Sequence, residues 1–172
     1  MPIAPDYKDW TWVLSRPCPE CGFDVSACTP ATAPGKLASM LPRWRAVLRR
    51  PDVADRPDAD TWSPLEYACH VRDVFTLFDH RLGLMLTRDD ARFDDWDQDR
   101  TAIEQDYQSA DPAEVSAALT AEGEQIAASF GSVPEQDWGR KGTRSNGSEF
   151  TVLTFSQYFL HDVVHHLHDV DG

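Results

Sequence analysis

Between Pro34 and Arg50 the apolar residues Leu37, Met40, Leu41, Trp44, Val47 and Leu48 recur at intervals of three and four. Helical geometry brings such positions onto one stripe, so the spacing predicts an amphipathic helix. The same period returns in three further segments. In WSPLEYACHVRDVFTLF, Ser63 suits an N-cap, Pro64 the first helical position and Glu66 the closure of a capping box. That helix should continue to about Leu86. Asp111 and Pro112 open a third, reaching Phe130. A fourth begins near Thr151 and carries YFLHDVVHHLHDV. A short helix from Trp96 to Tyr107 fits the connection between the second and third. No two segments alternate strongly enough to predict paired strands. The pattern predicts an all-α fold, a four-helix bundle over residues 34–172. Residues 1–33, rich in Pro, Trp and Cys and without a sustained period, predict an extended N-terminal arm.

Composition narrows the function classes. A chain of 172 residues with 41% hydrophobic and 26% charged residues is globular, of the size of one domain. Acidic residues outnumber basic ones 29 to 16, a net charge of −13, which argues against nucleic-acid binding through the phosphates. The one basic cluster, Arg43, Arg45, Arg49 and Arg50, reads as a solvated helix face. No apolar run approaches the roughly 18 residues of a membrane span, and no secretion signal is apparent. These features predict a soluble, cytoplasmic protein with no nucleic-acid or membrane partner, and a small-molecule substrate and a homodimer are compatible with them.

Four of the six histidines, His161, His165, His166 and His168, fall in the last predicted helix. At roughly 100° per residue, His161 and His165 lie about 40° apart, and His168 about 20° to the other side of His161. His166 turns about 100° away from His165. An i, i+4 pair of imidazoles can chelate one ion. On the second helix His70 shares a face with Val74, Leu77 and Leu84, whereas His80 lies off that face. An inward His70 opposite the pair His161 and His165 is a way in which bundles build metal sites. The plainer alternative is a hydrogen-bonded core histidine and an ordinary histidine-bearing helix. Asp73, Asp162 and Glu66 are either acceptors that orient a ligating imidazole or solvated helix charges, and His168 extends the stripe.

The arm carries CPECG, with Cys18 and Cys21 spaced for chelation from a tight turn that Gly22 permits. Cys28 is the nearest third thiol, with His80, His166 or His168 left to supply a fourth ligand of a structural zinc. A redox pair and plain reduced cysteines are the alternatives. Cys69 points about 100° away from its neighbour His70 and suits the core.

The residues in WSPLEYACH (Trp62 and His70) and HDVVH (His161 and His165) resemble motifs of the DinB-like superfamily, metal-binding four-helix bundles that include the mycothiol-dependent maleylpyruvate isomerases. FDDWDQDR resembles a Trp-Asp segment often found between that family's second and third helices. The resemblance spans residues 34–170 and implies a divalent metal on His70, His161 and His165. It departs from the isomerases at His161, where their Glu-x-x-x-His pattern has a carboxylate, and in the CxxC arm. Zinc suits three imidazoles, and nickel, iron and manganese are compatible with them. By resemblance the chain would be a metal-dependent thiol S-transferase or isomerase using a low-molecular-weight thiol. A non-catalytic metal-binding bundle, serving as a sensor or homodimeric interaction module, is the rival, and a bundle with incidental metal a third reading.

Overall fold

In the computed structural model, which describes Ile3 and residues 8–172, the clearest sequence signal becomes the longest helix. The remaining residues of the arm, 1, 2 and 4–7, lie outside the described residues. Helix α2 spans Pro64–Thr87, and its capping box closes as expected: Ser63 Oγ accepts from the Glu66 amide at 3.2 Å, and Glu66 Oε2 accepts from the Ser63 amide at 2.9 Å. Glu66 is buried and also accepts from Arg56 Nε at 2.8 Å, so one carboxylate ties the helix start to the preceding loop. Helix α1 is Ala33–Val47, with Trp44 fully buried on its inner stripe. Helix α3 (Gln98–Glu104) is the predicted short helix, followed by a 3-10 turn at Tyr107–Ser109. Helix α4 (Pro112–Gly131) starts where Asp111 accepts from the amides of Ala113 and Glu114. Helix α5 (Val152–Asp169) starts on a second capping box, Thr151 with Thr154.

Helix α4 packs against both α1 and α2, and α5 packs against the same two, so α1 and α2 face each other across a diagonal of the bundle. The core between them is aromatic: Phe78 stacks on Phe155 at 4.6 Å, and Phe75 and Phe130 meet Phe159. No helix is long and apolar enough to cross a membrane among the described residues.

The fold is not purely helical. Strands β1 (Ala91–Phe93), β2 (Lys141–Arg144) and β3 (Glu149–Thr151) form a three-stranded sheet, β1 parallel to β2 and β2 antiparallel to β3. Strands of three or four residues are too short to show an alternating pattern, which is why the sequence reads there as loop. Gly142 lets the sheet close on α2, since a Cβ there would come within 2.8 Å of Met85 Cγ and Phe93 Cε1. The sheet brings Arg144 beside Tyr158 of α5, at one rim of the open end of the bundle.

The N-terminal segment contains 3-10 turns at Trp10–Leu14 and Val25–Ala27 and lies along α5. Val13, Cys18, Phe23 and Cys28 are buried in that contact. Gln157 of α5 donates to the carbonyl oxygens of Val25 and Cys28 at 3.3 and 3.0 Å.

Candidate metal centres

Helix α5 carries two i, i+4 pairs one residue out of step, His161 with His165 and Asp162 with His166. Its core stripe is Phe155, Phe159, Val163 and Leu167. From the mean direction of that stripe, His166 and Asp162 lie about 40° and 80° away, and His165 and His161 about 140° and 180°. Asp162 and His166 therefore flank the core and face α2. His161 and His165 point outward, onto the N-terminal segment.

On the α2 side, the donor atoms of His70, Asp162 and His166 lie within 4.8 Å of one another. His70 Nε2 stands 3.4 Å from Asp162 Oδ1, and His166 Nε2 stands 3.7 Å from the same oxygen. The other nitrogen of His166, Nδ1, is 2.9 Å from Asp169 Oδ2, a contact that fixes the imidazole plane. His70 is held between indoles, near-parallel to Trp96 at 5.3 Å and tilted against Trp62 at 5.6 Å. Burial raises the pKa of Asp162, but His166 and His70 beside it outweigh that and hold it down to about 2. Asp162 is thus a carboxylate at neutral pH. Both ring nitrogens of His70 and Oδ1 of Asp162 are buried without a hydrogen bond among the described residues. Such atoms carry a desolvation cost unless something coordinates them, and two imidazoles with one carboxylate are a donor set that divalent metals use. These residues fit a metal ion.

On the outward side, the donor atoms of Cys18, Cys21, His161 and His165 form another group within 4.8 Å of one another. The turn that presents the thiols is closed by the Cys18 amide donating to Phe23 O and the Gly22 amide donating to Cys18 O, both at 2.9 Å. Gly22 adopts φ +73, a left-handed conformation that glycine enters without strain. Burial pushes the Cys21 thiol up to about 11, with the neighbouring Cys18 adding to the rise. Burial, and then His165, push His161 down to about 4, and burial lowers His165 as well, so both imidazoles are neutral at pH 7.

The structure thus divides the three histidines that the sequence brings together. His161 and His165 stand with Cys18 and Cys21, and His70 stands with Asp162 and His166. Cys28 is buried but belongs to neither group; its thiol lies by Ser156. Asp73 is engaged by the Tyr107 hydroxyl at 2.5 Å and Arg72 Nε at 2.7 Å rather than by His70. Glu66 is taken up by its cap and Arg56, while His168 and His80 are exposed. Asp162 and His166 were legible in one respect: they form an acid-x-x-x-His pair, the isomerase pattern, one residue downstream of HDVVH. The packing of Phe155, Phe159, Val163 and Leu167 sets which pair faces the core, and the apolar neighbours Leu160 and Val164 blur that stripe in the sequence.

The α5 members of both groups border one cleft of about 910 Å³, with Trp10 and Glu20 on one side and Trp96, Arg144 and Tyr158 on the other. Asp162, His161, His165 and His166 contribute to its wall.

A solved structure of YfiT from Bacillus subtilis, described as a probable metal-dependent hydrolase with an unusual four-helix bundle topology, is similar in fold. The TM-score is 0.72 at 17% identity, over 81% of this chain and 82% of that one. A comparison with curated proteins gives no match. The family model of the DinB superfamily matches residues 45–170, the stretch that holds α2, the sheet and α5. The chain belongs to the DinB superfamily.

Proposed function

We propose that the chain is a metal-dependent enzyme whose divalent cation is held by His70, Asp162 and His166. The observation that carries this reading is the convergence of buried donors of His70 and Asp162 that make no hydrogen bond among the described residues, with His166 beside them at the wall of a large cleft. Three protein ligands, with Asp162 and His166 lining the cleft, are the arrangement of catalytic rather than structural zinc, and iron, nickel or manganese suit the same donors. A cation there would supply Lewis acidity, lowering the pKa of a coordinated thiol or water.

The chain's own residues prepare the site. Asp162 offsets one unit of the ion's charge, which His161 in its place would not do. Asp169 fixes the His166 ring, and Trp62 and Trp96 fix that of His70. Arg144 sits at the rim, its guanidinium 3.1 Å from Asn146 Oδ1 and 3.2 Å from Ser148 Oγ, among polar groups suited to a hydroxyl-rich substrate. We assign the reaction to transfer or isomerisation using a low-molecular-weight thiol, by resemblance to the thiol-using branch of the family, with which the carboxylate at Asp162 agrees. A hydrolytic reading, with water in place of the thiol, is favoured by the similarity to YfiT. The cleft argues against a purely non-catalytic metal module, which has no need of one.

The test is turnover of a panel of electrophiles and esters by untagged protein, with and without low-molecular-weight thiols. Thiol-dependent turnover, abolished by a chelator and reduced at least roughly 100-fold in His70→Ala and His166→Ala, is expected. Thiol-independent hydrolysis with the same metal dependence would select the hydrolytic reading. Turnover indifferent to the chelator and to both substitutions would overturn the proposal.

A further inference from the structure

The cysteine-bearing segment raises a separate question, because it lies upstream of the residues that match the family. Its thiols meet helix α5 on the face opposite the core stripe. There Cys18 is 1% exposed, His161 4% and His165 7%, although each carries a polar group. His161 Nε2 is buried without a hydrogen bond among the described residues.

We infer that Cys18, Cys21, His161 and His165 form a second metal site, a closed Cys2His2 zinc centre distinct from the one in the cleft. The spacing C-x2-C followed by H-x3-H is that of structural zinc. Cys18 Sγ lies 3.7 Å from His165 Nδ1. A tetrahedral zinc with bonds of about 2.3 Å to sulfur and about 2.0 Å to nitrogen sets those two ligands roughly 3.5 Å apart, so the pair needs almost no adjustment. The opposite nitrogen of the same ring, Nε2, has Glu20 Oε2 at 3.5 Å and Asp169 Oδ1 at 3.8 Å. These carboxylates orient the ring so that Nδ1 faces the thiols, as acceptors behind ligating histidines do. Two thiolates and two neutral imidazoles complete the coordination of zinc and leave no position for substrate. Trp10, Trp12 and Phe23 pack on the histidine rings, Trp10 at 5.0 Å from His165 and 5.6 Å from His161. The centre is therefore structural. It fastens the N-terminal segment, which supplies Lys8, Asp9, Trp10 and Glu20 to the cleft, onto the helix that supplies Asp162 and His166.

The experiment is cobalt(II) substitution of the untagged full chain, prepared under reducing conditions, followed by absorption spectroscopy and metal analysis. About two ions per chain are expected, with a thiolate-to-cobalt charge-transfer band and the strong visible bands of a tetrahedral ion. In His70→Ala one ion is lost and the charge-transfer band stays. In Cys18→Ser/Cys21→Ser the band disappears and one ion is lost. Because that double variant can misfold, the wild-type spectrum decides by itself. A cobalt-loaded wild-type protein with no charge-transfer band, or a Cys18–Cys21 disulfide in protein never exposed to oxidant, would overturn the inference. Loss of the band together with the only ion in His70→Ala would do the same. A retained band with no metal lost in His70→Ala would instead fail the cleft site alone, so the two sites stand or fall separately.

Discussion

Asp169 touches both histidine pairs through its two oxygens, Oδ2 at 2.9 Å from His166 Nδ1 and Oδ1 at 3.8 Å from His165 Nε2. Burial raises its pKa, but His166 outweighs that and holds it below the ordinary carboxylate range, so it acts as an acceptor at neutral pH. Carboxylates that hold a ligating histidine typically contribute 10–100-fold to metal affinity. Asp169→Asn keeps the shape and removes the charge. Competition against a chromophoric chelator is expected to show affinity at the cleft site lowered by roughly 10-fold or more, with helicity unchanged. Unaltered affinity would mean that the contact with His166 is incidental.

The starts of α2, α4 and α5 were legible because each is written in local chemistry: Ser63 with Pro64 and Glu66, Asp111 with Pro112, and Thr151. The rotation of α5 was not. Its two pairs differ by one residue, and periodicity within one helix does not say which pair meets α2; the packing of Phe155, Phe159, Val163 and Leu167 decides that. The burial of His161 and His165, on the far side from the core, comes from residues more than 130 positions earlier in the chain, which no local pattern reveals. The sheet was hidden for the complementary reason, because its parallel pairing of Ala91 with Gly142 is long-range and its strands are short. For α2 the capping chemistry yields a pH dependence. Burial opposes ionisation of Glu66, yet Arg56 and the Ser63 amide prevail, and the folded-state pKa falls below the ordinary 4.5. A carboxyl depressed in this way adds stability that is fully present above pH 4.5 and lost as pH falls through its lower folded-state value. Glu66→Gln is expected to cost roughly 1–3 kcal/mol at pH 7, measured by urea unfolding, and the gap between variant and parent should shrink below pH 4.5. A gap constant down to pH 3 would show that the charge contributes nothing.

At the scale of the molecule, the diagonal placement of α1 and α2 leaves α5 with one flank against α2 and another free for the N-terminal segment. The same helix can therefore present ligands in two directions without either set crossing the core. The cleft then lies between a wall built by the family-matching residues and a wall built by the segment before them. Each wall brings its own indoles, Trp62 and Trp96 around His70 and Trp10 and Trp12 around His161. That pairing gives the protein an internal optical label for each site. Cobalt or nickel quenches a nearby indole, whereas zinc, with a filled d shell, leaves it bright. In Trp62→Phe/Trp96→Phe, stepwise loading with cobalt should dim the emission once, as the thiolate absorption band grows. In Trp10→Phe/Trp12→Phe the dimming should follow the cleft ion and ignore that band. Emission that falls in step with the same ion in both variants would mean that the two walls report on one site.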